Sequence, residues 1–292
     1  MIRGTITAMA TPFDAEGNLD VGKIGKLATW LAERGVDAVF VAGTTGEGLL
    51  LSMDERRRLT EATVQAVGGR IKVLTQVGCA STADSITMAE YAAAAGTDGV
   101  VALSPCFFKV DDLGMVAHFE AVAAAVPHTP FYLYNIPGNT RNNISVGVVR
   151  ALMDTAPNFA GIKDSSKDLE LLQKFVEIAH SDFAVLVGSD SVLLEGMEIG
   201  AVGVVSAASN VFPEAVVKIV RAIEAGDHTA ARAAQDQLNK LLGILKMGPA
   251  LAGYKAGLAM RGMDVGGMRP PLRDMTPDEL ASFEEAFSAV QQ

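Results

Sequence analysis

The chain of 292 residues carries 24 Lys and Arg against 34 Asp and Glu, a formal net charge of -10, and 49% of it is apolar. That length supports one large core of the size typical of a barrel of alternating strands and helices, and an acidic balance without any basic cluster speaks against a nucleic-acid backbone or an anionic membrane as partner. No apolar run approaches a membrane span, Met1-Ile2-Arg3-Gly4-Thr5 lacks a charged start followed by an apolar stretch, and Cys79 and Cys106 are too few and too distant for a disulfide framework, so a reducing, cytoplasmic setting is expected.

Short β-rich runs alternate with helical patterns along the chain, near 4–10, 38–42, 72–77, 99–103, 131–134, 160–163, 184–187 and 203–206. Helix starts fall between them: Ser52 with Glu55 three residues on, Ser81 with Asp84, and Pro213-Glu214 in a first turn. Eight evenly spaced units predict an α/β fold, a closed (β/α)8 TIM barrel whose functional face is built from the loops after the strands. A doubly wound open sheet would need neither eight units nor this spacing. From Gly226 the strand signal stops and an Ala- and Leu-rich helical period runs on, broken at Pro249 and at Pro270-Pro271. The expected division is therefore a barrel over 1–225 and a C-terminal helical extension over 226–292.

The loop after the second run, Gly43-Thr44-Thr45-Gly46-Glu47-Gly48, combines glycines that let backbone approach a ligand with two hydroxyls, a combination suited to a small carboxylate. A turn-forming glycine pair without a ligand fits the same residues. After the fifth run, Tyr134 closes the strand on the parity of Tyr132; its phenol could both donate and accept a proton, or simply cap the core. The sixth run, Phe159-Ala160-Gly161-Ile162-Lys163-Asp164, ends an apolar strand on a lysine, where ligand crevices of such sheets lie. Gly161 shares the face of Lys163 and is expected to leave room beneath the amine for a small substrate. Desolvation disfavours the charged form of an amine, and a neutral amine attacks carbonyls; the bland alternative is a lysine that snorkels to water. The last two strands end in Gly188-Ser189-Asp190 and Val205-Ser206-Ala207-Ala208-Ser209, which suit a hydroxyl-bearing ligand and ordinary turns equally well. His118, His128, His180 and His228 have no metal-ligand spacing and read as exposed or helix-end residues. No Gly-x-Ser-x-Gly elbow supports a serine nucleophile.

Gly43-Thr44-Thr45-Gly46-Glu47, Tyr134-Asn135-Ile136-Pro137 and Gly161-Ile162-Lys163-Asp164, in this order and spacing, resemble the dihydrodipicolinate synthase / N-acetylneuraminate lyase family, from Gly4 and Thr11-Pro12-Phe13 through the C-terminal helices. The resemblance implies a class I aldolase in which a lysine forms an imine with a 2-oxo acid, commonly pyruvate, in a homotetramer. It implies Lys163 as the nucleophile, Tyr134 as proton relay, Thr44 and Thr45 with the Gly46 backbone at the carboxylate, and the Val205 carbonyl orienting the intermediate. A protonated imine is itself an electron sink, so the implied chemistry calls for no metal or other cofactor.

Two departures bear on the branch. Where the synthases of this family carry an arginine that grips the aldehyde's carboxylate, this chain has Asn139, although Arg141 or Lys109 lies near enough in sequence to replace the charge; where they carry a tyrosine that reaches a neighbouring subunit, it has Phe107. The motifs look more like branches acting on 2-keto-3-deoxy sugar acids or 4-hydroxy-2-oxoglutarate. The expected activity is accordingly cleavage or formation of a 2-oxo-4-hydroxy acid from pyruvate and an aldehyde, with a sugar-acid tail meeting Asn139, Ser189, Asp190 and Ser209. Dihydrodipicolinate synthesis, a related dehydratase or deaminase, and a non-catalytic barrel that binds oxo acids are the alternatives.

Overall fold

In the computed structural model, which describes residues 1–290, eight parallel strands close on themselves. They are β1 (Gly4–Ala8), β2 (Ala38–Val41), β3 (Lys72–Gln76), β4 (Gly99–Leu103), β5 (Phe131–Asn135), β6 (Phe159–Asp164), β7 (Ala184–Val187) and β8 (Gly203–Ser206). Each bonds to its chain neighbour and β8 returns to β1, so no strand edge is left open. Around them run α1 (Val21–Glu33), α2 (Met53–Val67), α3 (Thr82–Ala94), α4 (Asp112–Ala125), the single turn α5 (Pro137–Thr140), α6 (Val146–Thr155), α7 (Leu169–Ile178), α8 (Leu193–Ile199) and α9 (Pro213–Glu224); α10 (His228–Leu245), α11 (Ala252–Met260) and α12 (Pro277–Ala289) follow. The breaks between the last three contain Pro249 and Pro270-Pro271, as their missing amide donors require.

Local chemistry accounts for the helix starts. Ser52 Oγ accepts the Glu55 amide while Glu55 accepts the Ser52 amide, a complete capping box, and Ser81 caps α3 through the Asp84 amide. The strands are apolar throughout because both of their faces are covered. Ile6, Phe40, Leu74, Val101, Tyr132, Leu186 and Val205 fill the barrel interior, while Val39, Val73, Val100, Leu133, Ile162 and Val204 turn outward against helix residues such as Leu27, Phe119 and Ile219.

One irregularity decides the position of the lysine. β5 and β6 start in register as Phe131 with Phe159, slip by one residue, and continue as Tyr132 with Gly161 and Tyr134 with Lys163. The extra residue, Ala160, is a bulge that moves parity by one: Phe159 packs outward, whereas Gly161 and Lys163 share the inner face with Tyr132 and Tyr134.

Two expectations are corrected. The space over Gly161 is not open, because a Cβ there would overlap the Ala184 carbonyl oxygen of β7 and lie 2.9 Å from the Tyr132 ring of β5. His118 is neither exposed nor at a helix end; it is buried within α4, with Nδ1 2.9 Å from Thr82 Oγ1 of α3, and burial holds its pKa below the usual imidazole value.

Candidate active site

Lys163, the penultimate residue of β6, is 5% exposed, so its ammonium stem is enclosed rather than snorkelling. Its Nζ lies 3.7 Å from the centre of the Tyr134 ring and 4.9 Å from that of Phe40, two rings that meet edge to face. Beneath it, Phe40, Leu74, Val101, Tyr132, Leu186 and Val205 leave a void of only about 10 Å³, far too small for a 2-oxo acid. A carbonyl therefore reaches this nitrogen only from the side where the strands end.

That side holds a cavity of about 450 Å³, within the range of small-molecule sites. Thr44, Gln76, Tyr134, Asn139 and Thr140 supply polar groups to its wall, and Leu49, Leu103, Cys106, Ile136, Leu251 and Leu272 supply apolar ones. Tyr134 joins the two regions: its ring packs on Lys163, and its hydroxyl is 3.1 Å from Thr44 Oγ1. Among the described residues no Lys, Arg or His contributes to this wall; Arg141 and Lys109, the candidates for a replacement charge, are exposed and outside it.

The strand ends are locked by their neighbours. Asn135 donates to Asp164 Oδ1 at 2.7 Å across β5 and β6 and accepts the Ile144 amide, and Ser166 Oγ donates to Asp164 Oδ2 at 2.7 Å. Burial pushes the Asp164 carboxyl above its ordinary value, against the pull of these hydrogen bonds. The threonine loop is bracketed by two non-glycine residues in the left-handed region, Ala42 (φ 56°) and Glu47 (φ 54°), a conformation sustained only where the surroundings enforce it. Gly46 is required here, since a Cβ would come within 2.8 Å of the Met9 carbonyl oxygen.

The residues singled out from the sequence separate into three groups. Thr44, Tyr134 and Asn139 line the cavity, and Lys163 and Val205 line the small void behind it. Thr45 and Gly46 are buried in the loop itself. Ser189, Asp190 and Ser209 lie outside the cavity wall: Ser189 Oγ meets Ser191 Oγ at 3.2 Å, Asp190 Oδ2 accepts the amides of Ala207 and Ala208 at 3.1 Å, and Ser209 Oγ donates to Thr7 Oγ1 at 2.9 Å. Burial raises the Asp190 carboxyl pKa, and its Oδ1 has no partner. Gln76 was missed, although a polar residue closing an apolar strand is the same signal that marked Lys163. Leu251 and Leu272 offered no comparable signal.

Residues 1–290 match the model of the dihydrodipicolinate synthetase family. An uncharacterized DapA-like lyase of Halobacterium salinarum is 41% identical over 283 residues, which is 97% of this chain and 92% of that protein. Among solved structures, dihydrodipicolinate synthase from Aquifex aeolicus superposes with a TM-score of 0.95 at 32% identity, over 99% of this chain and 98% of the other. A catalytic lysine mutant of Ruminococcus gnavus sialic acid aldolase does so with a TM-score of 0.95 at 27% identity, over 99% and 95%.

Proposed function

The chain belongs to the dihydrodipicolinate synthetase family and is a class I, Schiff-base lyase of that family; from this premise we propose that it interconverts a 2-oxo-4-hydroxy acid with pyruvate and an aldehyde through an imine on Lys163. Lys163 Nζ adds to the 2-oxo carbon, and the carbinolamine hydroxyl takes the Tyr134 proton and leaves as water, giving a protonated imine and a Tyr134 phenolate. The bond between C3 and C4 then breaks, its electrons pass into the imine as an enamine, and the C4 hydroxyl yields its proton to the Tyr134 oxygen as the aldehyde leaves. Protonation at C3 and hydrolysis release pyruvate and regenerate the amine. Thr44 and Thr45 hold the carboxylate, and the Val205 carbonyl orients the intermediate. A homotetramer is part of the same proposal.

The observation that carries it is the contact of the Tyr134 ring with Lys163 Nζ at 3.7 Å while the same residue's hydroxyl meets Thr44 Oγ1 at 3.1 Å. An amine, a phenol and a hydroxyl in one connected group support the reading of these residues as nucleophile, proton carrier and carboxylate holder. The test is incubation with pyruvate and borohydride followed by peptide mapping: the reduced adduct is expected on Lys163, and a label elsewhere, or none with any 2-oxo acid, refutes the assignment.

For the aldehyde half, we favour a molecule without a carboxylate near the carbonyl, because no cationic side chain contributes to the cavity wall among the described residues. Similarity to the Aquifex aeolicus synthase supports a second reading, condensation of pyruvate with aspartate semialdehyde. Product analysis with that semialdehyde and with a panel of neutral and hydroxylated aldehydes separates the two.

A further inference from the structure

Glu47 sits in the strained loop of Thr44 and Thr45, yet its side chain is committed to the C-terminal segment. Oε1 lies 2.7 Å from Lys255 Nζ of α11, and Oε2 accepts the Arg269 amide at 2.8 Å. The two charged side chains are 0% and 5% exposed. Lys255 Nζ also donates to the Gly267 carbonyl at 2.7 Å and lies 4.3 Å from the centre of the Phe13 ring. Burial lowers the Lys255 pKa, with the Glu47 carboxylate opposing that shift.

Such a pair is a poor stabilising device, since apolar residues of the same volume usually serve a core as well or better. What it supplies is position. Glu47 N donates to Thr44 O at 3.0 Å, and Thr44 Oγ1 is 3.1 Å from the Tyr134 hydroxyl. The Lys255–Glu47 ion pair, the Glu47–Thr44 backbone bond and the Thr44–Tyr134 hydroxyl contact, joined by the covalent frames of Glu47 and Thr44, thus link the C-terminal helices to the proton carrier. Arg269 reinforces it by pairing with both oxygens of Glu55, the glutamate of the α2 capping box, at 2.8 and 2.7 Å.

We propose that Lys255 is a positioning residue that acts through Glu47 to hold Thr44 and the Tyr134 hydroxyl in their working geometry. The inference rests on the reading of Tyr134 as proton relay. The experiment compares Lys255→Met, the pair Glu47→Gln with Lys255→Met, and each of these combined with Tyr134→Phe. The paired change removes both charges, so it leaves no buried ion alone and keeps the fold available for assay. Expected are a retained borohydride adduct at Lys163, a kcat lowered by about tenfold or more, and a pyruvate KM that moves far less, because a small misplacement weakens chemistry more than binding. In the Tyr134→Phe background the same changes should cost little further kcat, since their route is already cut. Unchanged kcat in the paired variant, or full multiplication of the two effects, overturns the inference. Absence of the adduct in the unaltered protein overturns the imine reading instead.

Discussion

Tyr134 and Lys163 are direct partners in the register of β5 and β6, and the Tyr134 ring centre is 3.7 Å from Lys163 Nζ. The ring therefore covers one side of the nitrogen, and the tightly filled barrel interior closes another. A carbonyl carbon attached to Nζ must then project toward the strand ends, where the Tyr134 hydroxyl meets Thr44. Proton transfer to a carbinolamine oxygen needs a group within hydrogen-bond reach of that oxygen. In the proposed mechanism this cross-strand pair supplies that group.

Replacing Lys163 by Ala should abolish turnover and the borohydride adduct while the protein keeps its fold. The change removes a buried cation, which offsets part of the cost of the cavity left by its stem. Circular dichroism and melting check the fold, and mass mapping checks the adduct; turnover within twofold of the unaltered protein would refute Lys163 as nucleophile.

Tyr134→Phe keeps the ring against Lys163 and the edge contact with Phe40, and deletes only the hydroxyl that meets Thr44. We expect kcat to fall roughly 10²–10⁴-fold, the usual contribution of a general acid-base group, with slower formation of the trapped adduct. Stability should change little because the ring's packing is preserved. Steady-state kinetics that leave kcat intact would remove the phenol from the mechanism.

The strand pattern was readable along the chain because every strand is covered on both faces and so shows as an apolar run. The two inward tyrosines and the lysine were readable for a related reason, since Lys163 breaks such a run at its end. The bulge at Ala160 left no mark, because an extra alanine looks like ordinary apolar strand. A strict alternation from Phe159 places Phe159, Gly161 and Lys163 on one face, whereas Phe159 packs among the helices. The expected space over Gly161 is absent because the atoms that fill it come from β5 and β7, remote in sequence. The same holds for Glu47 and Lys255: a pair separated by more than two hundred residues carries no local periodicity. Asp190, Ser189 and Ser209 satisfied the composition of a binding turn, but Asp190 Oδ2 and the two serine hydroxyls bond to neighbouring turns and strands, and none of the three lines the cavity.

Asp190 gives the stability a definite pH dependence. Burial raises its carboxyl pKa, and hydrogen bonds from Ser206 and the Ala208 and Ala207 amides, with the nearby Lys163 charge, oppose the shift without overcoming it. The folded state therefore holds this proton more tightly than the unfolded state does. Its contribution is full below the unfolded value near 3.8 and is lost as pH rises through the folded value. Asp190→Asn lacks that loss, so its stability relative to the unaltered protein should increase from acidic toward neutral pH in urea titrations. A difference that stays flat or falls with pH would contradict this. The aldehyde KM should stay close to its original value, because Asp190 lies outside the cavity wall.

Asn139 offers a test of what the cavity accepts. It stands exposed on the single turn α5 and contributes to the wall, where its amide can donate to or accept from a neutral polar group but carries no charge. A guanidinium can grip a carboxylate with two parallel hydrogen bonds, each charged bond contributing about 1.5–3 kcal/mol. Asn139→Arg should therefore improve kcat/KM for a carboxylate-bearing aldehyde by roughly 10- to 150-fold if one such bond forms, and leave the pyruvate adduct at Lys163 unaffected. For a neutral aldehyde the same change should be neutral or harmful, since it sets a bulky cation in a wall where a neutral aldehyde offers it no anionic partner. Initial rates with matched aldehydes that differ only in the carboxylate decide it. Equal effects on both aldehydes would show that residue 139 does not face the second substrate, and that its charge is selected elsewhere on the rim.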